Sequence, residues 1–160
     1  MPLIDRVVQA LRRVDPRWNA AELPARLAAA GLRPVQAKGR RQTFADADGQ
    51  RFSFHADAAG GLAFAEADVE VFLGAEALLP ADYQATLAEF EARYRRTVAA
   101  VEAMLPGGRA FDTPAAAPHD REALRATLWP LGAADLMVTL QHEDRELPIR
   151  VVIALEPVGG

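Results

Sequence analysis

Residues able to do chemistry are few in this sequence, and most sit beside turns. Three histidines, His55, His119 and His142, are the natural starting point for a metal site or a general base. His55 lies two residues from Asp57 in a stretch that reads as strand, so the two share a face. His119-Asp120 and His142-Glu143-Asp144 fall in expected loops. No pair has the His-Glu-x-x-His spacing or any other zinc spacing. There is no cysteine, which removes disulfides, thiolate metal sites and cysteine nucleophiles. Ser53 and His55 share a strand face, but such neighbours are roughly 7 Å apart at the backbone, awkward for a direct hydrogen bond. No Gly-x-Ser-x-Gly elbow surrounds them. Gly60-Gly61 and Gly107-Gly108 lack both the Gly-Lys-Ser/Thr that completes a phosphate loop and the dinucleotide fingerprint. These residues predict no catalytic centre, no cofactor and no metal.

Acidic residues are better grouped. Asp46/Asp48 and Glu66/Asp68 are spaced by two, and Glu143, Asp144 and Glu146 cluster within one short stretch. Paired carboxylates serve in acid–base work or cation binding. Most of these sit at or next to turns, where acidic residues are ordinarily solvated. Two acidic hairpin tips also suit a basic partner. The one basic run, Lys38-Gly39-Arg40-Arg41, is short and has no interleaved aromatics, so it is a weak nucleic-acid site. The net charge of −4 likewise argues against a general nucleic-acid binder. Lys38 is the only lysine and Ser53 the only serine, beside abundant arginine, alanine, glycine and proline. A GC-biased genome accounts for that balance without invoking phosphate recognition.

The elements that must position these residues are organised around Pro80 to Leu105. Tyr83, Leu87, Phe90, Tyr94, Val98, Val101 and Leu105 recur every three or four residues, which places them on one side of a helix. Glu89/Arg93 and Glu91/Arg95 are set for ion pairs on the other side. Pro80 opens the helix and Pro106-Gly107-Gly108 closes it. Before it, Leu3–Val14 reads as a short amphipathic helix. A second helix runs to about Ala30, with a capping box at Asn19 and Glu22 and Pro24 near its start. Residues 1–34 are therefore N-terminal helices. Residues 35–79 read as a β-meander around the Asp48-Gly49 hairpin signal. Thr113–Pro118 reads as a loop. Residues 106–160 hold a short helix from Asp120 through Leu128, then a hairpin of Leu136–Leu140 and Ile149–Leu155. At 160 residues, 51% hydrophobic and 25% charged, this predicts one α+β domain: an antiparallel sheet with helices packed on one face. No apolar run approaches the ~20 residues of a membrane span, and the N-terminus has no secretory pattern, so a cytoplasmic location with no membrane partner is expected.

The order of elements resembles the small cytoplasmic immunity proteins of bacterial polymorphic toxin systems, including type VI and contact-dependent ones. The likeness covers roughly residues 40 to 157. It is carried by the Asp48-Gly49 hairpin, the Val69-Glu70-Val71-Phe72 run, and Leu79-Pro80-Ala81-Asp82-Tyr83 entering a long helix with Phe90 and Tyr94. Leu105-Pro106-Gly107-Gly108, Trp129 and the closing Glu146-Leu147-Pro148-Ile149-Arg150-Val151 complete it. The resemblance implies a monomer or homodimer that binds and neutralises one cognate toxin without turning over a substrate. No catalytic residues are implied. The expected partner-binding residues are Asp46, Asp48, Glu143, Asp144 and Glu146. Two other classes stay open: a secretion chaperone or adaptor for an effector, and a small-ligand-binding domain with a pocket lined by Ser53, His55 and Asp57.

Overall fold

A computed structural model describes residues 1–111, 119 and 123–159. Among these, three helices are α1 (Leu3–Arg12), α2 (Leu23–Ala29) and α3 (Pro80–Met104). Eight strands are β1 (Arg33–Lys38), β2 (Arg41–Ala45), β3 (Arg51–Ala56), β4 (Leu62–Phe72), β5 (Arg109–Phe111), β6 (Arg125–Pro130), β7 (Ala134–Gln141) and β8 (Ile149–Pro157). They form one sheet in the order β1-β2-β3-β4-β8-β7-β6-β5. Every described pair is antiparallel. Two four-stranded meanders thus meet along a β4·β8 seam, where Ala65 faces Leu155 and Phe72 faces Ile149.

The helices lie on one face of this sheet and share its main core. Val7, Val8 and Leu11 of α1, Leu23 and Leu27 of α2, and Phe90, Tyr94 and Val101 of α3 pack in one cluster with Phe44, Phe52, Leu136, Val138, Val151 and Ile153. Alternation then fixes the other face. Beyond the seam it carries a small apolar cluster of Ala126, Leu128 and Met137, with Phe111 packed against it. Over β1–β4 the same face presents Gln36, Arg41, Thr43, Arg51, Ser53, Glu66 and Asp68. At 25 residues α3 is about 37 Å long. Its first turns meet the loop after β7, where Tyr83 bonds His142, and its last turns meet β6 through Glu102.

Local sequence explains most boundaries. Pro80 opens α3 in its first turn. The Asn19/Glu22 capping box forms: the Asn19 side-chain oxygen accepts from the Ala21 and Glu22 amides, and Glu22 returns a bond to the Asn19 amide. It caps a turn, and α2 begins one residue past it, with Pro24 in the first turn. Gly49, at φ +85°, makes the β2–β3 turn possible. The last part of the expected meander is one long strand, β4, over Leu62–Phe72.

Three expectations need correction. The short helix expected through Leu128 is a strand over Arg125–Pro130, and Trp129 is buried within it. Its expected start at residues 120–122, and the loop expected at Thr113–Pro118, lie outside the described residues. This strand pairs with β7 on one edge and β5 on the other, and its consecutive residues Ala126 to Trp129 are all buried, so both faces are covered and its sequence shows no clean period. On α3, Glu89 pairs with Arg93 as expected, but Glu91 turns to Arg125 of β6 at 3.2 Å and is half-buried. Leu87 and Val98 are only partly buried, so the buried stripe of α3 is narrower than its sequence pattern. The strands β1 and β5 add edges that the hairpin pattern did not delimit.

Candidate interaction surface

The two acidic hairpins turn at the same end of the sheet. The chain enters β3 and leaves β7 at the end where β8 begins with Ile149, and Gln50 of the first hairpin reaches the Asp68 carbonyl of β4 at 3.1 Å. All five expected partner-binding residues therefore lie at the Ile149 end, with β4 running between the two tips. They are not equivalent. The Asp46 carboxylate accepts the Asp48 and Gln50 amides and lies 3.4 Å from the Arg6 guanidinium, so it builds the turn. Asp144 does the same locally by accepting the Glu146 amide at 2.8 Å. Asp48 also meets Arg6, at 3.2 Å, yet its side chain is 65% exposed. Glu143 and Glu146 are exposed.

Between and beside these tips lies an apolar surface that the acidic residues alone did not reveal. Leu73 and Leu79 are 71% and 70% exposed, and Val71 and Leu147 are also open. Val71 faces Arg150 across the seam, and Leu73 directly follows the Phe72–Ile149 pair that ends it, while Leu147 and Pro148 directly precede Ile149. Leu79 follows Leu78, whose carbonyl accepts from Arg145 of the same loop. The residue 142–148 loop is held against the start of α3. Arg145 donates to the Leu78 carbonyl at 2.6 Å, and its guanidinium sits 4.5 Å over the Tyr83 ring. The Tyr83 hydroxyl meets His142 Nε2 at 2.8 Å. Gln141, His142, Glu143, Leu147, Pro148 and Arg150 line a shallow pocket of about 240 Å³ there. The surface is thus apolar residues on an anchored loop and strand end, rimmed by carboxylates.

The polar half of the open face holds a second pocket, of about 310 Å³, bounded by β1–β4 and Arg150. Ser53 lines it, but His55 and Asp57 do not. The Ser53 hydroxyl accepts from Arg41 Nε at 3.2 Å and Nη2 at 3.0 Å. His55 stacks on Phe64 at 4.1 Å and lies 3.8 Å from Glu66. Asp57 accepts the Ala59 and Gly61 amides and shapes the β3–β4 turn. The arrangement is no nucleophile–base pair. Arg150 spans the pocket's far wall, bonding Asp68 at 2.8 Å and Glu66 at 3.2 Å. Its burial works against the charge, but the two carboxylates outweigh that and raise its pKa.

Two further groups had no sequence signal. His119 bridges Asp135 and Glu156, which face each other across β7–β8, with 2.8 Å from each ring nitrogen. Both nitrogens are engaged, and among the described residues no group of three His, Asp or Glu side chains is placed to hold a metal ion. Glu102, at the end of α3, accepts the Gly107 and Gly108 amides and the Trp129 indole N–H, all within 2.9 Å. Among the described residues, no helix is long and apolar enough to cross a membrane. Comparison with known protein families, curated proteins and solved structures gives no match.

Proposed function

We propose that this protein acts by stoichiometric binding to a basic partner protein, in the manner of an immunity protein that neutralises a cognate bacterial toxin. The observation that supports this reading is the Ile149 end of the sheet, where Leu73, Leu79, Val71 and Leu147 are exposed at the same end as Asp48, Glu143 and Glu146. Exposed apolar residues with a group of carboxylates at the same end fit a protein-recognition site. The leucines would supply most of the affinity once desolvated, and the carboxylates would steer encounter and reject acidic partners. Anchoring by Arg145, Tyr83 and His142 presents the loop in a fixed form, which lowers the ordering cost of association.

The experiment is a binding measurement against the toxin encoded by the neighbouring gene. Leu73→Ser with Leu79→Ser should weaken binding by about a hundredfold while leaving the fold intact, since each truncated anchor costs ~1–2 kcal/mol. Asp48→Lys, Glu143→Lys and Glu146→Lys together should slow association and flatten its salt dependence. Asp46 is left alone because it holds its turn. Parent affinity in the leucine variant and a parent salt response in the charge variant would together refute the site.

A further inference from the structure

The polar pocket on the open face is unbalanced in charge. Its far wall holds Arg150 between two carboxylates, Glu66 and Asp68, so no positive charge is left over there. The near wall differs. Among the described residues, Arg41 donates only to the neutral Ser53 hydroxyl, and Arg51 has no side-chain partner. Register concentrates the excess. On this face Lys38 lies directly opposite Arg41, and Arg33 and Arg51 both flank Ala45. Like charges directly opposite one another across strands oppose folding unless an anion lies between or above them. Thr43 and Ser53 are buried at the floor, so hydroxyls and guanidinium N–H groups converge on one concave space.

We propose that this pocket is a binding site for an oxyanion, a phosphate or carboxylate group, clamped between Arg41 and Arg51 over the Thr43–Ser53 floor. Guanidinium groups bind both anions through charge-assisted, frequently bidentate hydrogen bonds. The Ser53 hydroxyl pre-orients Arg41, so less side-chain freedom is lost on binding. Gln36, on the same wall, adds an amide donor from the edge strand. The site gives a role to Lys38-Gly39-Arg40-Arg41, which forms the end of β1, the tight turn and the start of β2 beside the pocket. It is lined by β1–β4 and by Arg150, which it shares with the pocket of the interaction surface, but Arg41 and Arg51, the two groups the proposal uses, take no part in that surface.

The test uses inorganic phosphate and citrate as probes on the full chain, at constant ionic strength set with chloride. Binding is followed by calorimetry and by amide shifts of Thr43, Arg51 and Ser53. Saturable binding is expected, with Arg41→Gln and Arg51→Gln each weakening it about tenfold or more, the loss of one charge-assisted bond. Arg12→Gln, on the solvent side of α1, should bind as the parent does. Saturation by phosphate alone assigns a phosphate-bearing ligand, by citrate alone a carboxylate-bearing one, and by both the shared chemistry. No saturable binding of either probe overturns the proposal. So does parent affinity in either the Arg41 or the Arg51 variant.

Discussion

At the scale of single residues, the end of α3 shows how one carboxylate replaces several missing partners. The chain must leave the helix and reverse into β5, and Gly107 and Gly108 expose amides that no helix carbonyl reaches. Glu102 accepts both, and takes the Trp129 indole N–H as well. Gly108 is required for a second reason: a Cβ there would stand 2.5 Å from the Trp129 ring. The Gly107 amide, then the Gly108 amide and the Trp129 indole, lower the Glu102 pKa from 4.5. A depressed folded-state pKa stabilises the protein fully above the unfolded value, and that stabilisation is lost as pH falls through the lower folded value. Glu102→Gln should therefore be less stable than the parent at pH 7, with the gap narrowing as pH drops below 4.5. Urea midpoints measured from pH 7 to pH 3 would show this, and a gap independent of pH would exclude the carboxylate's charge as its source.

At the scale of elements, α3 is the helix on which the core depends most. Phe90 is buried and meets Phe72 edge-on at 6.5 Å, and the Tyr94 hydroxyl bonds Thr127 at 2.7 Å. Phe90→Ala should cost ~3–5 kcal/mol in denaturant unfolding, and an unchanged midpoint would mean that the helix is not anchored there. This helix was legible because its apolar residues hold a 3.6 period over many turns. The β2–β3 and β7–β8 hairpins were legible from alternation and turn chemistry. The strand over residues 125–130 was not: Arg125, Thr127 and Trp129 face the helices while Ala126 and Leu128 face the other way, so both faces mix sizes and polarities. The first strand escaped delimitation because all its residues are exposed and carry no apolar pattern. The acidic tips could be read from composition. The exposed leucines at the same end could not, since Leu73 and Leu79 look in sequence like any buried leucine; only the seam register and the Arg145–Leu78 bond bring their segments to the end that carries Leu147. The like-charged row on the open face was hidden for the same reason.

At the scale of the molecule, each half of the chain sets helix before a four-stranded meander, two helices in the first half and one in the second, and the halves join through their last strands. Neither half has an internal partner for the inner edge of its last strand. A fragment ending at Met104 would leave the Ala65–Phe72 edge open. It should aggregate or stay unfolded in sedimentation and circular dichroism; a soluble, cooperatively folding fragment would show that the N-terminal half is self-sufficient.

That seam also sets a schedule for biosynthesis. Glu66 and its seam-spanning contact Arg150 are 84 residues apart in the chain. At ribosomal speeds of ~5–20 residues per second, β4 waits roughly 4 to 17 s after its own translation before β8 exists to cover it. During that interval its backbone edge, a row of unpaired N–H and C=O groups, is exposed. The nascent chain is therefore open to holdase chaperones, and to pairing with a neighbouring nascent copy on the same message, for as long as translation of the second half lasts.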